Sequence, residues 1–91
     1  MGTGVERVMK HLNAPTAGVV RSVFHDWEEI AGELIGKHTT PVKIVGGVLH
    51  LDTDEPAWAS EMRWMSEEIL LRIRDHIGND EIKEIVVRVS R

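Results

Sequence analysis

The dipeptide Gly46-Gly47 is the feature that most constrains this chain. Adjacent glycines can take the positive φ angles of a two-residue hairpin turn. They separate two apolar-rich stretches, residues 42–45 and 48–52. Such a turn pairs Val45 with Val48, Ile44 with Leu49, Lys43 with His50 and Val42 with Leu51. One face then carries Val42, Ile44, Leu49 and Leu51. The other carries Lys43, Val45, Val48, His50 and Asp52. An apolar face and a mixed face emerge together, and a one-residue slip would scramble both.

Helical spacing flanks this hairpin. Val5, Val8, Met9 and Leu12 fall on one face of a first helix. Asn13-Ala14-Pro15 ends it, because the residue before proline avoids helical angles. Thr16 is then the expected N-cap of a second, continuous helix running to about Gly36. Its apolar stripe is Val20, Val23, Phe24, Trp27, Ile30, Ala31, Leu34 and Ile35, and close packing is the expected reason for Gly32. After the hairpin, Thr53-Asp54-Glu55-Pro56 reads as a helix start, with proline in the first turn. The third helix is expected to reach Ile77 and stop at Gly78. Trp58, Met62, Met65, Ile69 and Ile73 form its core stripe, while Trp64 and Leu71 lie opposite. Residues 84–90 alternate, with Ile85, Val87 and Val89 facing one way, as a half-buried strand does.

The order α-α-β-β-α-β implies an α+β fold. A three-stranded mixed sheet is expected, its last strand parallel to a hairpin strand across a helical crossover. Helices would pack on one face. The chain has 91 residues, sufficient for one domain with one modest core. Residues 1–15 are expected to form a helical N-terminal segment of it. No apolar run approaches the roughly 20 residues of a membrane span, and the N-terminus does not read as a secretory signal, so the cytoplasm is the expected location. Cysteine is absent, which removes disulfides, thiolate nucleophiles and cysteine zinc sites. The net charge of -4 argues against a tight electrostatic nucleic-acid binder, which usually carries a basic excess.

A set of fragments stands in order along the chain: Trp27-Glu-Glu-Ile-Ala-Gly32, Lys37-His38-Thr39-Thr40-Pro41, Gly47-Val-Leu49, Pro56-Ala57-Trp58-Ala59-Ser60-Glu61-Met62, Ile77-Gly78 and Ile85-Val-Val-Arg88. Together they resemble the DciA family over roughly residues 16–90. That resemblance implies a KH-like fold and an accessory role at the DnaB-type replicative helicase of bacteria, with contact to single-stranded or forked DNA. Many relatives carry a long flexible tail beyond this domain, so functions of such a tail are not expected of this sequence. KH domains that grip nucleic acid use a Gly-x-x-Gly loop between two helices. One continuous helix is expected in that region here, and no such loop is found in it.

The residues themselves point to binding rather than catalysis. Ser22, His25 and Asp26 share one helix, which offers neither an oxyanion hole nor an orienting third group, so no catalytic residue is assigned. No phosphate-cradling Gly-x-x-x-x-Gly-Lys-Ser/Thr loop occurs, so nucleotide hydrolysis is not expected. His50, Asp52 and Asp54 alternate along a strand as partial metal-ligand chemistry, yet polar strand faces are routine; neither metal nor cofactor is assigned. Trp27 and Trp58 read as core anchors. Lys37, His38 and Lys43 near the first strand, with Arg63 and Arg74 on the third helix, are the candidate phosphate contacts. Trp64 and Leu71 are the candidate partner-binding patch. Alternative readings are an RNA-binding KH-like module, or a protein-interaction or dimerisation domain without nucleic-acid binding, for which a homodimer is one form.

Overall fold

The computed structural model describes residues 16–90. The first expected helix, built on Val5, Val8, Met9 and Leu12, lies outside the described residues. The remaining elements are α1 (Ala17–His25), α2 (Trp27–Ala31), α3 (Glu33–His38), β1 (Thr39–Val45), β2 (Val48–Thr53), α4 (Pro56–Ile77) and β3 (Glu84–Val89). The sheet order is β1-β2-β3, with β1 antiparallel and β3 parallel to β2. This is the α+β arrangement expected, a three-stranded mixed sheet with the helices on one face.

The hairpin turn forms as the two glycines require, with φ of 60° at Gly46 and 78° at Gly47. Val45 faces Val48, Ile44 faces Leu49 and Lys43 faces His50. The expected pairing of Val42 with Leu51 does not occur. The register shifts between Pro41 and Lys43, so Pro41 stands opposite Leu51 and Val42 is 41% exposed. A bulge adds one residue to one strand and re-aims its side chains. Here proline, which offers no N–H to a ladder, sits at the bulge. Thr39 thereby pairs with Thr53, and both are buried.

The expected continuous second helix is broken twice. Asp26 interrupts it first, and Gly32 interrupts it again at φ 98° and ψ 156°, a region that only glycine occupies comfortably. Close packing does not explain Gly32: a Cβ there would meet nothing nearer than 3.9 Å. Close packing instead explains Gly36, which lies inside α3 rather than at its end. A Cβ on Gly36 would come within 2.8 Å of Glu28 Cα, so α3 folds back directly onto α2. The breaks also rotate the apolar stripe. Val23, Trp27, Ile30, Ala31 and Ile35 are buried as expected, whereas Phe24 and Leu34 face outward and Val19 joins the core.

Two polar relays hold this segmented run in place. Trp27 Nε1 donates to Thr39 Oγ1 (3.0 Å), which donates to the Ile35 carbonyl (2.7 Å). Arg72 of α4 donates to the Ala31 carbonyl at 3.1 Å, satisfying an acceptor that the end of α2 leaves open. Thr16 occupies the N-cap position of α1 but turns its hydroxyl to Glu81, 2.8 Å away.

α4 runs from Pro56 to Ile77 and stops at Gly78 in the left-handed region, as expected. Met62, Ile69 and Ile73 are fully buried against Leu49 and Leu51 of the central strand, and Trp58 and Met65 pack at the margin. Ile82, in the connection to β3, is equally buried. Its place in the core shows no periodic signal in sequence.

Asp26 forms a clip between the α1–α2 junction and the last turn of α4. It accepts hydrogen bonds from His25 Nδ1 (2.8 Å) and His76 Nε2 (2.9 Å). An ionised carboxylate only accepts, so each imidazole presents an N–H to it. The bond from His25 foremost, then that from His76, holds the Asp26 carboxyl below its ordinary range. A carboxyl lowered in the folded state stabilises above its unfolded pKa, and that stabilisation is lost as pH falls through the folded value. Asp26→Asn is therefore expected to lower Tm at neutral pH. The wild-type advantage should vanish as pH drops well below about 4, which thermal melts across that range will read. Gly32→Ala and Gly36→Ala are each expected to cost about 1–3 kcal/mol in chemical denaturation, the first through backbone strain and the second through overpacking.

Candidate binding surfaces and family

The C-terminal end of α3 delivers Lys37 and His38 to the start of β1, because Thr39 is fixed beneath them by the Trp27 relay. This end of the sheet, where β1 begins and β2 and β3 finish, opens into a shallow groove of about 400 Å³. Lys37, His38, Thr40, Asp52, Thr53, Asp54 and Ser90 line it. His38 stacks on Trp58, with ring centroids 4.7 Å apart and planes 12° from parallel, and its Nδ1 lies 3.7 Å from Glu55. Lys37 is exposed and 3.4 Å from Glu33 one turn earlier.

The structure separates the basic corner expected from sequence. Lys37 and His38 share the groove, but Lys43 lies beyond the bulge, beside His50 on the open face of the sheet. Thr40, Lys43, His50, Asp52, Val86 and Arg88 spread over that face, and Arg88 Nε approaches Asp52 to 3.5 Å. The charges are mixed, so phosphate attraction there is local and modest. Arg63 is exposed on α4. Arg74, in contrast, is half-buried and donates Nε to the Ile82 carbonyl at 3.2 Å, tethering the turn before β3.

Trp64 and Leu71 do come together. They sit two turns apart on the outer face of α4, 87% and 63% exposed among the described residues. Glu61, Glu67, Glu68 and Asp75 surround them on the same helix. A large exposed indole on a polar helix face is the kind of apolar spot that marks a contact surface.

The metal-ligand chemistry considered along β2 regroups in space. His50 and Asp52 stay on the open face, while Asp54 gathers with His38 and Glu55, their ligand atoms within 4.8 Å of one another. Both carboxylates of this trio are exposed, so water competes for them. The His38–Trp58 stack and the contributions of Thr40 and Ser90 to the groove were not found by sequence reasoning. Their only sequence signal is position at strand ends. Among the described residues, no helix is long and apolar enough to cross a membrane.

The family model described as "Dna[CI] antecedent, DciA" matches residues 5–87, beginning earlier than the expected residues 16–90. The chain is 29% identical over 65 residues to a UPF0232 protein of Mycobacterium tuberculosis, covering 71% of this chain and 35% of that protein. It is 30% identical over 64 residues to one from Rhodococcus jostii, covering 70% and 34%. With a UPF0232 protein of Streptomyces avermitilis it shares 24% identity over 90 residues, 97% of this chain and 50% of that one. The chain thus matches between about a third and a half of the length of these relatives. With a family match spanning almost its whole length, this chain belongs to the DciA family.

Proposed function

We propose that this chain is a non-catalytic binding domain of bacterial DNA replication, which docks on the DnaB-type replicative helicase and contacts DNA weakly. The observation that carries this reading is the family match over residues 5–87. Two exposed surfaces are suited to its two parts. The outer face of α4, with Trp64 and Leu71, offers a desolvation anchor of the kind that dominates protein interfaces. The groove and open sheet face offer Lys37 and Lys43 as phosphate contacts, with hydroxyls of Thr40 and Ser90 nearby.

The DNA contact is electrostatic and non-specific in this reading. The sequence has no Gly-x-x-Gly pair. The run from residue 17 to residue 38 is divided at Asp26 and Gly32, and Gly36 is packed on Glu28. Without a backbone clamp, binding rests on a few cations, and nearby Asp52 and Asp54 oppose phosphate.

Lys37→Ala and Lys43→Ala are each expected to weaken single-stranded DNA binding and reduce the slope of log K against log salt by about 1 per lost phosphate contact. Arg74→Ala should lower stability more than it changes that slope. A salt-independent titration would remove DNA contact from the proposal, and tighter binding of RNA in a parallel titration would favour the RNA-binding alternative. Trp64→Ala is expected to weaken helicase capture about tenfold or more in pull-downs. No complex between the wild-type chain and purified helicase, even with forked DNA present, would reject helicase docking.

A further inference from the structure

The two edges of the sheet are built differently. β1 carries Pro41, a bulge and Lys43, three devices that discourage another strand from pairing there. β3 carries none of them. Its sequence, Glu84-Ile85-Val86-Val87-Arg88-Val89, has high β propensity and contains no glycine, proline or lysine. Among the described residues no strand lies beyond it.

The ladder fixes which backbone groups this edge offers. Glu84 N donates to the Gly47 carbonyl and Ser90 N to the Thr53 carbonyl, so the even-numbered residues of β3 bond to β2. In a parallel ladder only alternate residues serve one neighbour. The N–H and C=O groups of Ile85, Val87 and Val89 therefore point outward along the free edge. Side chains alternate accordingly. Glu84, Val86 and Arg88 are exposed on the open face, whereas Ile85, Val87 and Val89 are half-buried toward the helices.

We propose that this edge pairs with a second copy of itself, β3 antiparallel to β3, about a two-fold axis at Val86. Of the symmetric registers that the outward groups permit, this one sets Glu84 opposite Arg88 of the other copy, twice. It also sets Ile85 opposite Val87 in the hydrogen-bonded positions, giving four new backbone bonds. Val86 meets its own counterpart at a non-bonded position, burying an apolar side chain that is 39% exposed in the single chain. A dyad at Ile85 or Val87 would leave both charges without their complement. Charge complementarity and the unguarded edge thus select one occupant and one register. The result is a continuous six-stranded sheet with both sets of helices on the same face. A strand-edge contact of this size belongs to the weak class of interfaces. This inference is independent of DNA or helicase binding.

Sedimentation of the full chain with charge variants tests it. Glu84→Lys or Arg88→Glu alone turns both complementary pairs into like-charge pairs and should lower the association constant about tenfold. An equimolar mixture of the two variants restores both pairs and should associate like the wild type. Because the chain has no cysteine, Val86→Cys provides a second measurement. Its two copies would approach to about 4.5 Å between Cα atoms, within disulfide reach, and should cross-link on mild oxidation. Val48→Cys, on the open face of the central strand, should not. A strictly monomeric wild type whose Val86→Cys form cross-links no faster than the Val48→Cys control overturns the proposal. So does a dimer indifferent to both charge reversals.

Discussion

The buried hydrogen bond from the Trp27 indole to Thr39 is the interaction on which the rest of the structure depends. An indole brings a large apolar area into a small core, but its N–H must be paired once water is excluded. Thr39 supplies the acceptor and donates its own hydroxyl hydrogen bond to the Ile35 carbonyl. One side chain thus joins α2, the end of α3 and the first residue of β1. The position of the sheet relative to the N-terminal helices follows, and so does the placing of Lys37 and His38 at the groove.

Around that anchor, the chain solves a crowding problem. A straight helix from residue 17 to residue 38 would span about 33 Å and could not wrap a three-stranded sheet. Breaks at Asp26 and Gly32 divide it into segments short enough to fold over the core. Each break is then secured from α4, by His76 on Asp26 and by Arg72 on the Ala31 carbonyl. Gly36 allows the last segment to lie against Glu28. The bulge at Val42 does comparable work on the sheet side, turning Thr39 inward to stand opposite the buried Thr53 at the cost of exposing a valine.

The exposed surfaces are what this packing leaves over. α4 directs one stripe into the core and the opposite one, with Trp64 and Leu71, outward. Among the described residues the sheet is covered on its helical side only, and Lys43, His50, Val86 and Arg88 lie on the open side. Acidic and basic groups are interleaved on both surfaces. Such surfaces suit contacts of modest strength, in which geometry and the local arrangement of charge select the partner more than net charge does.

Periodicity alone determined the hairpin turn, the span and core stripe of α4, its stop at Gly78 and the alternation of β3, because these are local patterns with strong glycine punctuation and a regular repeat. It also marked Trp64 and Leu71 as lying opposite the core. The ordered fragments carried the family. The breaks in the second helix were not legible, since an apolar stripe continues through Asp26 and Gly32 whether or not the backbone does. Nor were the bulge at Val42, the burial of Ile82, the role of Arg74 or the meeting of His38 with Trp58. Each of these depends on which residues distant in sequence arrive at the same place, and only packing around the Trp27–Thr39 anchor decides that.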